Sequence, residues 1–261
     1  MSWGFDLFSD FFARRDNVVQ RLDSRVKLAV TLGGIGAVLF SSLPLLPVMV
    51  CFLVLSSLLG LKIPLRFLVR RFLPAAGITL MILLLHGFMI GSDPLLTFGL
   101  GGWELTLYQD GFHRGMLAGS RVLGAFSLLL MLGFVTPAHD IFRALHWFRM
   151  PKEWVEIALM TYRYIFVLLD DASDMATAQK IRLGYVGFKR SLASMGALVG
   201  SVLVRSLDQS VRTHEAMTAR AYTGEMPFVP MGRLGLKAAG GIVLAFAVTA
   251  LAYLASEGWG R

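Results

Sequence analysis

Phe72-Leu-Pro-Ala-Ala-Gly-Ile-Thr-Leu-Met-Ile-Leu-Leu-Leu-His86-Gly-Phe-Met-Ile-Gly91 holds no Asp, Glu, Lys or Arg in twenty residues. As a helix it would rise about 30 Å, the thickness of a bilayer's hydrocarbon core. One such window could be the core of a large soluble protein, but here it has companions. The stretches 26–43, 44–61, 115–136 and 236–255 are similarly apolar, with at most one charged residue each. Apolar residues make up 56% of the 261-residue chain and charged residues 16%, against about 25% charged in an ordinary soluble domain. The sequence therefore predicts an all-α membrane protein of about five transmembrane helices.

Charge supplies the orientation. The segment 62–71, Lys-Ile-Pro-Leu-Arg-Phe-Leu-Val-Arg-Arg, carries four positive charges and no acid, so it is expected as a cytoplasmic loop. That places the N-terminus inside and the glycine-rich, acidic segment 92–111 outside. Within that segment Trp103-Glu-Leu-Thr-Leu-Tyr108 alternates like a short strand or an interfacial loop. Residues 1–23 have no apolar core of signal-peptide type. The net charge of +8 marks cytoplasmic loops facing anionic lipid rather than a nucleic-acid partner. Three regions follow: 1–136 with four spans, 137–233 on the cytoplasmic side, and 234–261 with a final span.

The middle region is expected to hold two or three long amphipathic helices. From Pro151 to about Gly187 nothing breaks a helix, and proline suits its start. Its first half is apolar apart from Arg163, and its second half is polar. A second helix over about 191–220 carries an apolar run at 192–204. That run is too short to span a membrane and reads as packing against its partner.

Two short segments within these helices are alike. They are Ala178-Gln-Lys-Ile181-Arg182-Leu183-Gly184-Tyr185 and Ala216-Met-Thr-Ala219-Arg220-Ala221-Tyr222. Each places a small residue four positions before an arginine, on the same helical face. A guanidinium so placed can enter a groove on another protein and pair with a carboxylate. On spacing alone, a solvated or snorkelling arginine is the commoner reading.

The chain resembles the transmembrane (T) component of energy-coupling-factor (ECF) transporters, and most closely the CbiQ-like cobalt/nickel branch. The residues carrying the resemblance are Leu22-Asp23-Ser24-Arg25-Val26-Lys27-Leu28, Met150-Pro151-Lys152, Tyr162-Arg163-Tyr164-Ile165-Phe166-Val167-Leu168-Leu169 and the two arginine segments. The resemblance implies a non-catalytic, multi-pass subunit of the bacterial inner membrane. It further implies that Ile181-Arg182-Leu183 and Ala219-Arg220-Ala221 each dock on one of two ABC-type ATPase subunits, supported by Ala178, Gly184, Ala216 and Tyr222. ATP and Mg²⁺ would be bound by those partners, with no cofactor or metal in this chain. A CbiM-like substrate-binding membrane subunit, and a small CbiN-like one, complete the implied assembly. Cobalt or nickel is the implied cargo, with a vitamin-type module as the alternative. The family's triplet is usually Ala-Arg-Gly, from which both triplets here depart while keeping the arginine.

Other features compete for attention. Asp170-Asp171-Ala-Ser-Asp174 has the DDxxD spacing of a magnesium-diphosphate site, and would make the chain a membrane prenyltransferase. Such enzymes use paired clusters, and no second one is present; a solvated boundary of the long helix is the plainer reading. A stand-alone channel or carrier is a further alternative, disfavoured by the few intramembrane charges. His86, Arg121 and Arg163 are expected to find partners within the bundle. The single cysteine, Cys51, excludes an internal disulfide and reads as an inert thiol. Gly33, Gly34, Gly36, Gly115, Gly119 and Gly124 allow close helix approach, either to internal helices or to a partner subunit. No G-x-x-x-x-G-K-[ST] occurs, so a P-loop is absent from this sequence.

Overall fold

The computed structural model describes residues 23–61, 63–89, 94–100 and 103–224, with 240 and 250 singly. The expected last span at 236–255 and the segment 1–22 lie outside the described residues. Seven helices and one hairpin are present among them: α1 Ser24–Phe40, α2 Leu45–Gly60, α3 Leu65–Met89, β1 Pro94–Leu100, β2 Trp103–Tyr108, α4 Gln109–Val135, α5 Ala138–Trp147, α6 Lys152–Ile181 and α7 Phe188–Ala219. The described chain divides into two compact units, one within residues 23–141 and one within 142–224.

In the first unit, α4 is the common partner: α1, α2 and α3 each pack on it. Glycines make this possible. A Cβ on Gly119 would lie 2.7 Å from Thr79 Cγ2, and one on Gly124 would lie 3.0 Å from the Pro47 carbonyl oxygen. Gly115 meets the Leu83 backbone and Gly34 meets Leu128 in the same way. These glycines therefore serve internal packing. Gly36, by contrast, has open space around it. Val38, Leu46, Val54, Leu58, Leu68, Leu128 and Phe134 form the core between the helices.

Helices α3 and α4 are long and apolar enough to cross a membrane, while α2 is apolar but shorter, with 16 residues. Much of the outer surface is apolar: Leu73, Leu80, Met81 and Met89 of α3 and Met49, Phe52 and Leu53 of α2 are exposed. That is the surface expected of helices solvated by lipid. The chain is a helical membrane protein.

Several expectations need correction. Arg66, Arg70 and Arg71 do not form a loop; they occupy the first turns of α3. Arginine favours helix and Pro64 stands just before the first turn, so nothing stops the helix from beginning there. Arg71 lies over the Phe134 ring at 5.0 Å, a cation–π contact. The all-α expectation is modified by the β1–β2 hairpin, paired antiparallel from Pro94↔Tyr108 to Leu100↔Trp103. The alternation at Trp103–Tyr108 does correspond to a strand.

The second unit is dominated by an αα-hairpin of α6 and α7, with 30 and 32 residues. The two run antiparallel, as the pairs Tyr164–Thr213 and Asp171–Arg205 show. The helix expected to reach Gly187 ends at Ile181, because Leu183 takes a left-handed conformation and Gly187 has φ 80°. The apolar run at 192–204 is covered only in part, with Leu198 and Val202 half-buried. Leu192, Met195, Val199, Leu203 and Val204 are all exposed, and no residue of α7 is buried. Ser194, Arg205 and Thr213 of α7 instead reach Gly184, Asp171 and Tyr164.

Candidate functional site

Arg182 and Arg220 occupy equivalent places, each being the C-cap residue of its helix. Helix ends leave carbonyls without partners, and both ends solve this identically. At the first, Gly184 N–H donates to Gln179 O (2.8 Å) and Leu183 N–H to Lys180 O (3.1 Å). At the second, Tyr222 N–H donates to Met217 O (3.1 Å) and Ala221 N–H to Thr218 O (3.0 Å). This is the Schellman arrangement, whose residue after the C-cap sits in the left-handed region. Leu183 has φ 58° and Ala221 φ 60°. Glycine takes that conformation without strain, whereas a Cβ there costs about 1 kcal/mol. The third triplet position is thus glycine-favouring for a backbone reason, and this chain fills it otherwise. Arg149, φ 68° after α5, closes a third such cap through Met150 N–H to Leu145 O.

The Arg182 tip is braced as well as capped. Ser194 Oγ of α7 donates to Gly184 O at 2.8 Å, and Tyr185 OH donates to Gln179 Oε1 at 2.8 Å. A Cβ on Gly184 would come within 2.7 Å of that Ser194 Oγ and 2.9 Å of Gln179 O. Gly184 is required there by space. Ala178 and Ala216, one turn before each arginine, are exposed and leave the guanidinium unobstructed. Arg182 and Arg220 are both exposed, as are Ile181, Leu183, Ala219 and Ala221; Tyr222 is half-buried. Because α7 connects the two sites, they lie at opposite ends of the hairpin, about 48 Å apart along a 32-residue helix.

The competing acidic cluster is otherwise engaged. Asp171 pairs with Arg205 at 2.9 Å, so one of its three carboxylates is an interhelical contact. Among the described residues no three His, Cys, Asp or Glu side chains gather as a metal site. The embedded groups also have particular fates. Arg121 donates to the Ser41 carbonyl at 2.7 Å through Nη2 and 3.3 Å through Nε. It thereby closes the C-terminal end of α1, and its partner is a backbone carbonyl. His86 Nδ1 lies 3.1 Å from Ile82 O of its own helix, not across the bundle. Arg163 is exposed and has no ion pair among the described residues, which corrects its expected pairing. Asp23 caps α1 through Oδ1, accepting from Arg25 N–H at 3.2 Å, and Arg25 itself is buried.

Residues 15–229 match the profile of CbiQ, a cobalt transport protein family. The chain belongs to the CbiQ family. The family comprises transport components and is not a family of enzymes. Among its relatives is a cobalt transport protein CbiQ of Rhodobacter capsulatus, 32% identical over 65% of this chain and 66% of that one. An energy-coupling factor transporter transmembrane protein EcfT of Bacillus selenitireducens is 26% identical over 80% of this chain and 81% of its own length. A putative fused cobalt transport protein CbiMQ of Methanocorpusculum labreanum is 28% identical, with 80% of this chain matching 35% of that longer one.

Proposed function

We propose that this CbiQ-family chain is the transmembrane coupling subunit of an ECF-type, ATP-driven cobalt uptake transporter in the bacterial inner membrane. It links two ABC-type ATPase subunits, which bind ATP and Mg²⁺, to a substrate-binding membrane subunit. The observation that carries this reading is the pair of identical caps, each projecting one arginine, at the two ends of a single stiff hairpin. An exposed guanidinium beside a small residue suits a groove holding a carboxylate. Two such grips about 48 Å apart suit two subunits rather than one.

The coupling is mechanical. A helical hairpin does not stretch, so when the two ATPases close, the ends must follow by tilting or rotating the hairpin as a body. The outward apolar face of α7, with Leu192, Val199 and Leu203 exposed, offers the surface through which that movement reaches the membrane subunit. The fused CbiMQ relative supports a CbiM-like partner, with a small CbiN-like subunit as a further member. The 62–71 charges put the N-terminus in the cytoplasm and, with 236–255 as the last span, give five crossings. Cobalt is favoured over nickel or a vitamin by the names of the relatives.

The test is co-purification with ATPase subunits together with metal uptake. Arg182→Glu/Arg220→Glu is expected to abolish both while leaving membrane insertion intact. Normal uptake by the double variant would overturn the reading.

A further inference from the structure

We propose that the two arginine tips grip their ATPase subunits by different means. The 181–188 tip is an apolar plug with a cation at its centre, and the 219–222 tip docks through charge and small-residue contact. This rests on the docking role proposed above.

Four large apolar side chains surround Arg182 in sequence and stand out from the chain. Ile181 is 78% exposed, Leu183 63%, Val186 58% and Phe188 84%. Leu183 is the most telling of them. It holds a left-handed backbone that glycine would adopt without strain, and its exposed side chain gains little packing within the chain. A bulky residue in a strained and exposed position contributes little to folding; its contribution lies in contact with another molecule. The tip is also rigid, because the Schellman bonds, the Ser194–Gly184 bond and the Tyr185–Gln179 bond fix it to both helices.

Among the described residues, the other tip has the same backbone and the same arginine without such large exposed apolar side chains between 216 and 224. Its neighbours are Ala216, Thr218, Ala219, Ala221 and Thr223, all exposed, with Tyr222 half-buried. Identical caps presenting an identical cation indicate the same kind of partner at both ends, a protein carboxylate. The different surroundings indicate grooves of different character. The first groove is apolar around its carboxylate, and the second is shallow and polar. A lipid surface would account for the apolar residues and Lys189 and Arg190, but not for a guanidinium held in the same cap geometry at the far end.

Apolar burial is insensitive to salt, whereas an exposed charge pair weakens as the screening length falls from about 10 Å at 0.1 M to about 3 Å at 1 M. The full chain is reconstituted in phosphatidylcholine nanodiscs with the ATPase subunits that co-purify with it. Arg220→Glu isolates the first tip and Arg182→Glu the second. The first tip is expected to retain ATPase through washes at about 1 M NaCl, and the second to release it. Adding Leu183→Gly to Arg220→Glu is expected to weaken retention about tenfold or more, while the thermal midpoint of the chain is unchanged or raised. Equal salt dependence of the two tips, or unchanged retention with Leu183→Gly, overturns the plug; the latter result together with vesicle binding would assign the apolar residues to lipid. Retention undiminished in the Arg182→Glu/Arg220→Glu double variant would instead overturn the docking role itself.

Discussion

Leu183 and Ala221 share one backbone state, φ 58° and 60°, each directly after the arginine that ends its helix. The shared state favours glycine for a backbone reason, and it makes a clear prediction. Ala221→Gly relieves the left-handed strain and removes one methyl group from an exposed site. It should raise the stability of the chain by about 1 kcal/mol, read as a higher thermal midpoint in detergent. Ala221→Val, whose branched Cβ fits this region worst, should lower it.

Gly184 should tolerate no side chain. The clash of a Cβ with Ser194 Oγ and Gln179 O would open the braced turn, so Gly184→Ala should cost about 1–3 kcal/mol, typical of overpacking. ATPase co-purification should fall with it. Ser194→Ala removes the nearest obstacle together with its hydrogen bond to Gly184 O. Adding it should restore part of the loss in Gly184→Ala, and no recovery would show that the backbone contact with Gln179 dominates.

A compensating pair also exists within the membrane unit. Gly119→Ala places a methyl group against Thr79 Cγ2 at 2.7 Å, and should separate α3 from α4 and lower the thermal midpoint. Thr79→Ser deletes that methyl and keeps the hydroxyl that reaches Gly119 O at 3.5 Å. The double variant should recover most of the stability. Additive losses from the two single changes would count against direct contact.

The Asp171–Arg205 pair is partly exposed, with 36% and 54% of the side chains accessible. Pairs of this kind contribute about 0–1 kcal/mol. Asp171→Asn should therefore change stability little and leave metal uptake largely intact. Mg²⁺-dependent diphosphate release by the isolated chain, lost in this variant, would revive the prenyltransferase alternative.

Much of this could be read from the sequence because some patterns have few alternatives. A charge-free stretch as long as 72–91, repeated in several companions, points to lipid as solvent, and the glycines at 115, 119 and 124 fall where helices approach. The arginines at 182 and 220 fall at helix ends as their segments suggest. What was hidden has physical reasons. Leucine and alanine do not announce a left-handed cap, so the shared backbone of positions 183 and 221 carries no compositional sign. Asp171 and Arg205 meet only because the hairpin folds back. Arg121 satisfies a carbonyl, an acceptor that every residue possesses. The apolar run on α7 signals burial by composition, but composition does not say whether the cover comes from the same chain.

Helix α4 holds α1, α2 and α3 together and is the last of the four to leave the ribosome. The first three helices are synthesised before the segment that organises them, and until then they lack their common partner. Assembly of this bundle is therefore completed only after about residue 135 emerges. Truncations that end before that point should leave helices inserted but unassociated, and open to quality-control proteases.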